Sequence, residues 1–146
     1  MVQITVTGFD EATKTLDLAA EAVTDAAIAA RIDLFNEITN EQNHPIDTGT
    51  ARSNWAVLGL GETVNPNHTP EGQITTPAAA PDPQINPVTI TDLTNGITIG
   101  NSTSYILRLN YQAGFANGGK TGWVDRATAK WPTFWADAVR ALQAKL

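Results

Sequence analysis

The chain of 146 residues contains no cysteine. That absence excludes disulfides, thiolate nucleophiles and cysteine-rich zinc sites together, and it fits a protein made in a reducing cytoplasm. Histidine is nearly as scarce, with only His44 and His68. Both stand close to prolines in expected loops, and neither has a second ligand at the i+4 spacing of a zinc helix. No metal and no cofactor are expected. Basic residues are also few: nine Lys and Arg stand against 15 Asp and Glu, a formal net charge of −6. The nine are scattered along the chain, so tight DNA binding by a single copy is not expected, and an acidic surface repels DNA. No apolar run approaches the length of a membrane span. Residues Met1 to Thr5 lack the basic and apolar regions of a signal peptide.

The length suits one domain, long enough to bury a core without a staple. Val2 to Thr7 alternates apolar and polar residues, the pattern of a half-buried strand. A long helix is expected from Glu11 to Asn40, with Asp10 as its N-cap. Leu16, Ala19, Val23, Ala27, Ala30, Leu34 and Ile38 give it one apolar stripe. The alanine-rich middle either belongs to a core helix or offers a second face to a neighbouring subunit. Asn43-His44-Pro45 ends this helix. Trp55 to Leu60 reads as a buried strand.

Between them lies Pro45-Ile46-Asp47-Thr48-Gly49-Thr50-Ala51-Arg52-Ser53-Asn54-Trp55. Asp47 and Thr48 suit local bonds to backbone amides, and Gly49 suits a positive φ. The physical content is a tight corner from helix to strand. Residues 61 to 87 then hold six of the eight prolines. So long a connection is either a floppy insertion or an arm that orders on a partner.

Val88 to Leu93 and Ile97 to Gly100, joined through Asn95-Gly96, read as a β-hairpin. Ser102-Thr103-Ser104 is expected to cap a short helix over Tyr105 to Tyr111, with Tyr105, Ile106 and Leu109 inward. A glycine-rich loop spans Gln112 to Gly122. The last helix, Trp123 to Leu146, carries three of the four tryptophans on one face. Pro132 is expected to kink it or to start a second helix near Trp131.

One catalytic-type pattern is present. Gly114 to Thr121 matches the phosphate-loop spacing Gly-x-x-x-x-Gly-Lys-Thr, in which backbone amides and the lysine hold phosphates. Such a loop needs a strand before it, whereas the preceding segment reads as a helix. Nor does the chain show the repeated strand–helix alternation of a parallel sheet. No Gly-x-Ser-x-Gly elbow occurs. The chain therefore reads as no enzyme. A monomeric module using this loop for a small anion, or a nucleotide hydrolase built on it, stands as the alternative.

The segment from Pro45 to Trp55 resembles the Pro-Val-Asp-Thr-Gly-x-x-Arg-x-x-Trp/Ile signature of the phage head-tail joining family of neck and tail-completion proteins. Asp47, Thr48, Gly49, Arg52 and Trp55 carry that likeness. Asn101 to Tyr111 resembles the family's Asn-x-x-x-Tyr segment. Its usual Glu-Tyr/Phe-Gly ending here reads Asn110-Tyr111-Gln112. Gly122 to Ala127 resembles the segment that opens its C-terminal helix. The resemblance implies a structural virion protein that forms a homo-oligomeric ring, a hexamer. The ring would join head to tail, touch neighbouring connector and tail proteins, and let DNA pass without a membrane partner; the net charge of −6 makes its lumen expected to be acidic. Pro77, Pro81 and Pro83 of the arm, with Tyr105, Tyr111 and Trp123, are then the candidate contacts.

The fold expected is α+β. A small, mostly antiparallel sheet of four strands would pack against the long first helix and the last helix, with 61–87 as a Pro-rich insertion.

Overall fold

Alternation from Val2 produces the first strand, and Trp55 and Ile97 open the other two. The computed structural model describes residues 1–6, 20–45, 49–60, 62, 69–74, 76–83, 85, 87–93, 96–112 and 120–145. Among them, strands β1 (Val2–Val6), β2 (Trp55–Gly59) and β3 (Ile97–Asn101) form one antiparallel sheet in the order β1-β3-β2. Ile99 is the hub of the register, opposite Ile4 on one side and Val57 on the other. As the middle strand, β3 is buried along its whole length.

Helix α1 (Ala20–Thr39) supplies the layer beside the sheet. Val23, Ala27, Ala30, Leu34 and Ile38 of the expected stripe are all buried. Leu34, Phe35 and Ile38 join Val57, Ile97 and Ile99 in one core. Full burial of each such side chain stabilises by roughly 1.5–3 kcal/mol. Residues 11–19 of the expected helix, and Thr7, lie outside the described residues. No described helix is long and apolar enough to cross a membrane.

Three short helices follow: α2 (Thr50–Ser53), α3 (Pro87–Thr91) and α4 (Ile106–Tyr111). In α4, Ile106 is fully buried and Tyr105 and Leu109 pack against the core, as their spacing requires. The expected Ser/Thr cap is absent, since the helix starts from Tyr105 with no side-chain cap. Ser104 is instead held by Glu71, which accepts from its amide at 2.6 Å and its hydroxyl at 2.9 Å.

The C-terminal segment forms two helices, α5 (Trp123–Ala129) and α6 (Trp131–Gln143), with Pro132 in the first turn of the second. Proline is tolerated there because the first amides of a helix have no internal partner. Helix α6 packs along α1, with Trp131, Phe134 and Trp135 half-buried against the core.

The strand expected at Val88–Leu93 is a correction. Pro87–Thr91 is the helix α3, so this segment does not supply the first strand of the expected hairpin; residues 94–95 lie outside the described residues. Two causes are visible. Both edges of β3 are already taken, by β1 and β2, leaving no place for a fourth strand beside it. Arg31 of α1, itself fully buried, also donates to the carbonyls of Ile90 at 3.1 Å and Asp92 at 2.7 Å, near the end of α3. Pro87 stands at the first helical position, where its fixed φ favours a helix start.

Candidate functional site

Every helix leaves its last carbonyls without internal partners. Helix α1 has no basic residue in its last turn to meet them. Groups from elsewhere do so. Arg52 Nε donates to Thr39 O at 2.6 Å, and Trp123 Nε1 donates to Ile38 O at 3.1 Å. Lys120 Nζ donates to the carbonyls of Glu41 and His44, at 3.3 and 3.1 Å, in the turn that follows. Placing cations at a helix C-terminus also complements its dipole. The resembling corner is thus built around the end of α1.

Gly49 begins the described part of the corner with φ of 89°, and its carbonyl accepts the amide of Ser53 at 3.0 Å. This left-handed backbone is open to glycine at little cost. The chain then makes the one-turn helix α2, where the sequence indicated only a bend. Arg52 sits on it. Its contacts with the exposed carboxylates of Glu41 (3.6 Å) and Asp82 (3.3 Å) are surface ion pairs. Such pairs contribute about 0–1 kcal/mol, so the bond to Thr39 O is the stronger reason for this arginine.

Asn54 closes the corner. Its side-chain amide donates to Thr50 O at 3.1 Å and Thr69 O at 2.8 Å, while its oxygen accepts the amide of Thr69 at 2.8 Å. Asn101 donates to Ala51 O at 2.6 Å and accepts from the amide of Thr103 at 2.9 Å. Asn110 accepts from the amide of Val124 at 3.0 Å, joining α4 to α5. Each buried amide replaces water for backbone groups that would otherwise be orphaned.

Trp55, fully buried, donates its indole N–H to His44 Nε2 at 2.9 Å, and His44 Nδ1 lies 2.8 Å from Pro45 O. Trp123 completes the cluster, with its ring centroid 4.7 Å from His44 and 6.5 Å from Trp55. Burial pushes the His44 imidazole down to about 4, a drop to which Arg52 and Lys120 add and which the Pro45 carbonyl opposes.

The sequence-picked residues therefore separate into groups. Gly49, Arg52 and Trp55 meet in the corner, whereas Asp47 and Thr48 lie outside the described residues. Pro77 and Pro81 are exposed and Pro83 is half-buried. Tyr105 is half-buried, and Tyr111 is 59% exposed with its hydroxyl 3.3 Å from Asp125. Trp123 is corrected: at 1% exposure its ring belongs to the core of this chain and offers no surface to a neighbour. Comparison with family models, with curated proteins and with solved structures gave no match.

The described pieces of the Pro-rich stretch lie on the corner. Thr69 is bound by Asn54, Glu71 by Ser104 and Asp82 by Arg52, while Pro77 and Ala80 pack directly over Gly49. Lys120, the lysine of the phosphate-loop pattern, is spent on carbonyls, and helix α4, not a strand, precedes the loop. Residues 113–119 of that pattern lie outside the described residues. A groove of about 470 Å³ runs between β1 and α5, lined by Val2, Ile4, Tyr111, Val124, Asp125 and Ala129 among others.

Sequence reasoning missed Arg31, His44 and the three buried asparagines. Each has at least one partner 11 or more residues away in the chain, beyond the reach of any local pattern.

Proposed function

We propose that the chain is a structural virion protein of a tailed bacteriophage, part of a neck or tail-completion ring that joins head to tail and lets DNA pass. The observation that carries this reading is the corner. Gly49, Arg52 and Trp55, three residues of the resembling signature, each fix how α1 meets the sheet. A ring subunit must present its surfaces at a constant angle, and a joint held by the largely buried hydrogen bonds of Arg52, Asn54, Trp55 and Asn101 supplies that rigidity. A hexameric ring with head-to-tail contacts is the assembly proposed, docked on neighbouring connector and tail proteins. Exposed Tyr111, Pro77 and Pro81 are the contacts proposed for it. A net charge of −6 favours a lumen along which DNA slides without sticking.

The test is structural. Electron microscopy of assembled particles is expected to place six copies in a ring at the head-tail junction, and deletion of the gene is expected to leave heads and tails unjoined. A ring with a strongly basic channel, or normal particles without this chain, would refute the proposal.

The second reading is a monomeric module that binds a nucleotide or small anion at the glycine-rich loop. The engagement of Lys120 with Glu41 and His44 weighs against it, because a phosphate would have to displace both carbonyls. Calorimetric titration with ATP and Mg²⁺ is expected to give no heat of binding. Binding lost on Lys120→Ala would revive that module.

A further inference from the structure

We propose that the His44–Trp55 contact is a proton-operated latch: neutral His44 holds the corner shut, and one proton added at its Nε2 opens it.

The chemistry of the two partners leaves one arrangement. An indole N–H only donates, so Nε2 of His44 must present its lone pair to Trp55 at 2.9 Å. The single imidazole proton then sits on Nδ1 and is donated to Pro45 O at 2.8 Å. Both nitrogens are committed. A second proton would set N–H against N–H, and at 0% exposure His44 has no water to receive it.

The surrounding charges add to this. Arg52 of α2 and Lys120 of the turn before α5 are both cations. The carboxylates of the adjoining elements are already engaged: Glu41 and Asp82 by Arg52, Glu37 by Lys130, and Asp125 by the Tyr111 hydroxyl. Arg126 of α5 is turned to the carbonyls of Thr121 and Lys120. No carboxylate is among the groups that act on the His44 imidazole, so none offsets the two cations.

His44 also holds more than Trp55, because its carbonyl receives Lys120. Opening the latch therefore loosens the start of β2 and the turn before α5 together, while the β1–β3 pairing has no direct bond to it.

The pH window follows from the shift. The imidazole is lowered from 6.5 to about 4 in the folded chain, so the unfolded chain binds the proton first as pH falls. The contribution of His44 is complete above pH 6.5 and is lost between 6.5 and 4. By pH 4 the folded-to-unfolded ratio has fallen by about 150-fold on account of this one group.

The experiment uses the full chain in a His68→Gln background, which leaves one histidine. Denaturant melts from pH 8 to 4 are compared with those of His44→Gln, whose carboxamide oxygen still accepts the indole N–H but does not titrate. A loss of about 150-fold from pH 8 to 4 is expected with His44 and is expected to disappear with Gln. The ¹⁵N signals of the His44 ring are read in parallel. They are expected to show the Nδ1–H tautomer and a midpoint near 4, with the Trp55 Nε1–H signal exchanging with solvent through the same transition. A midpoint near 6.5, the other tautomer, or equal pH dependence in both chains would overturn the latch. If His44→Gln fails to fold, the ring signals alone decide.

Discussion

Gly49→Ala is expected to destabilise the fold by about 3 kcal/mol, a large share of a small domain's stability. Two costs combine. A non-glycine residue at φ of 89° carries roughly 1–2 kcal/mol of backbone strain. The added Cβ would also stand 2.6 Å from Ala80 Cβ and 3.3 Å from Pro77 Cα, closer than real contacts allow. Neither neighbour is the movable end of a long side chain, so backbone must shift, at about 1–3 kcal/mol. The two costs separate experimentally. Ala80→Gly placed on Gly49→Ala removes one methyl and is expected to restore the steric part, leaving about 1–2 kcal/mol. Urea melts of the two single variants and the double variant measure this. A loss under 1 kcal/mol, or no recovery in the double variant, would show that the Pro-rich stretch does not lie against the corner.

Arg31→Met is expected to cost a similar amount, about 3 kcal/mol, and to release α3 selectively. Arg31 is fully buried, and burial pushes its guanidinium below the ordinary range while Asp92 pulls it back up. It stays charged nonetheless, and a hydrogen bond from a charged donor contributes roughly 1.5–3 kcal/mol. Replacing a whole buried ion pair with apolar groups is often harmless, but here only one side is replaced. The carbonyls of Ile90 and Asp92 would keep their demand and lose their donor. Arg31→Lys is expected to recover only part, because an ammonium on a flexible stem lacks the planar fork. Hydrogen exchange of the amides in 88–92 should rise well above the global rate in Arg31→Met. Unchanged exchange there would show that α3 stands without the arginine.

These two positions also mark how far the sequence could be read. The β1 and β3 alternation, the α1 stripe, the helix restart at Pro132 and the positive φ of Gly49 are all local, since each follows from spacing or from one residue's backbone preference. The Val88–Leu93 segment has the same local signal as a strand. What makes it helical is an arginine 59 residues earlier and a middle strand, β3, that is already paired on both sides. Pro87, at the first helical position, was the one local sign pointing the other way. The corner divides likewise. The positive φ was legible at Gly49, but the burial of His44 depends on Trp55 and Trp123 closing over it, and a histidine beside a proline looks like any loop.

The end of α1 carries a further consequence, one of timing. Its carbonyls at Thr39 and Ile38, and those of Glu41 and His44 in the turn that follows, receive donors that lie 13, 85, 79 and 76 residues downstream. A ribosome adding 5–20 residues per second reaches the last of these roughly 4–16 s after α1 has been made. During that interval the helix has its sequence but not its finish. A nascent chain halted before residue 120 keeps Arg52 and lacks Lys120 and Trp123, so it exposes the floor on which Trp55 should rest. Such a chain is a substrate for chaperones and proteases, and the C-terminal segment is what ends that vulnerability.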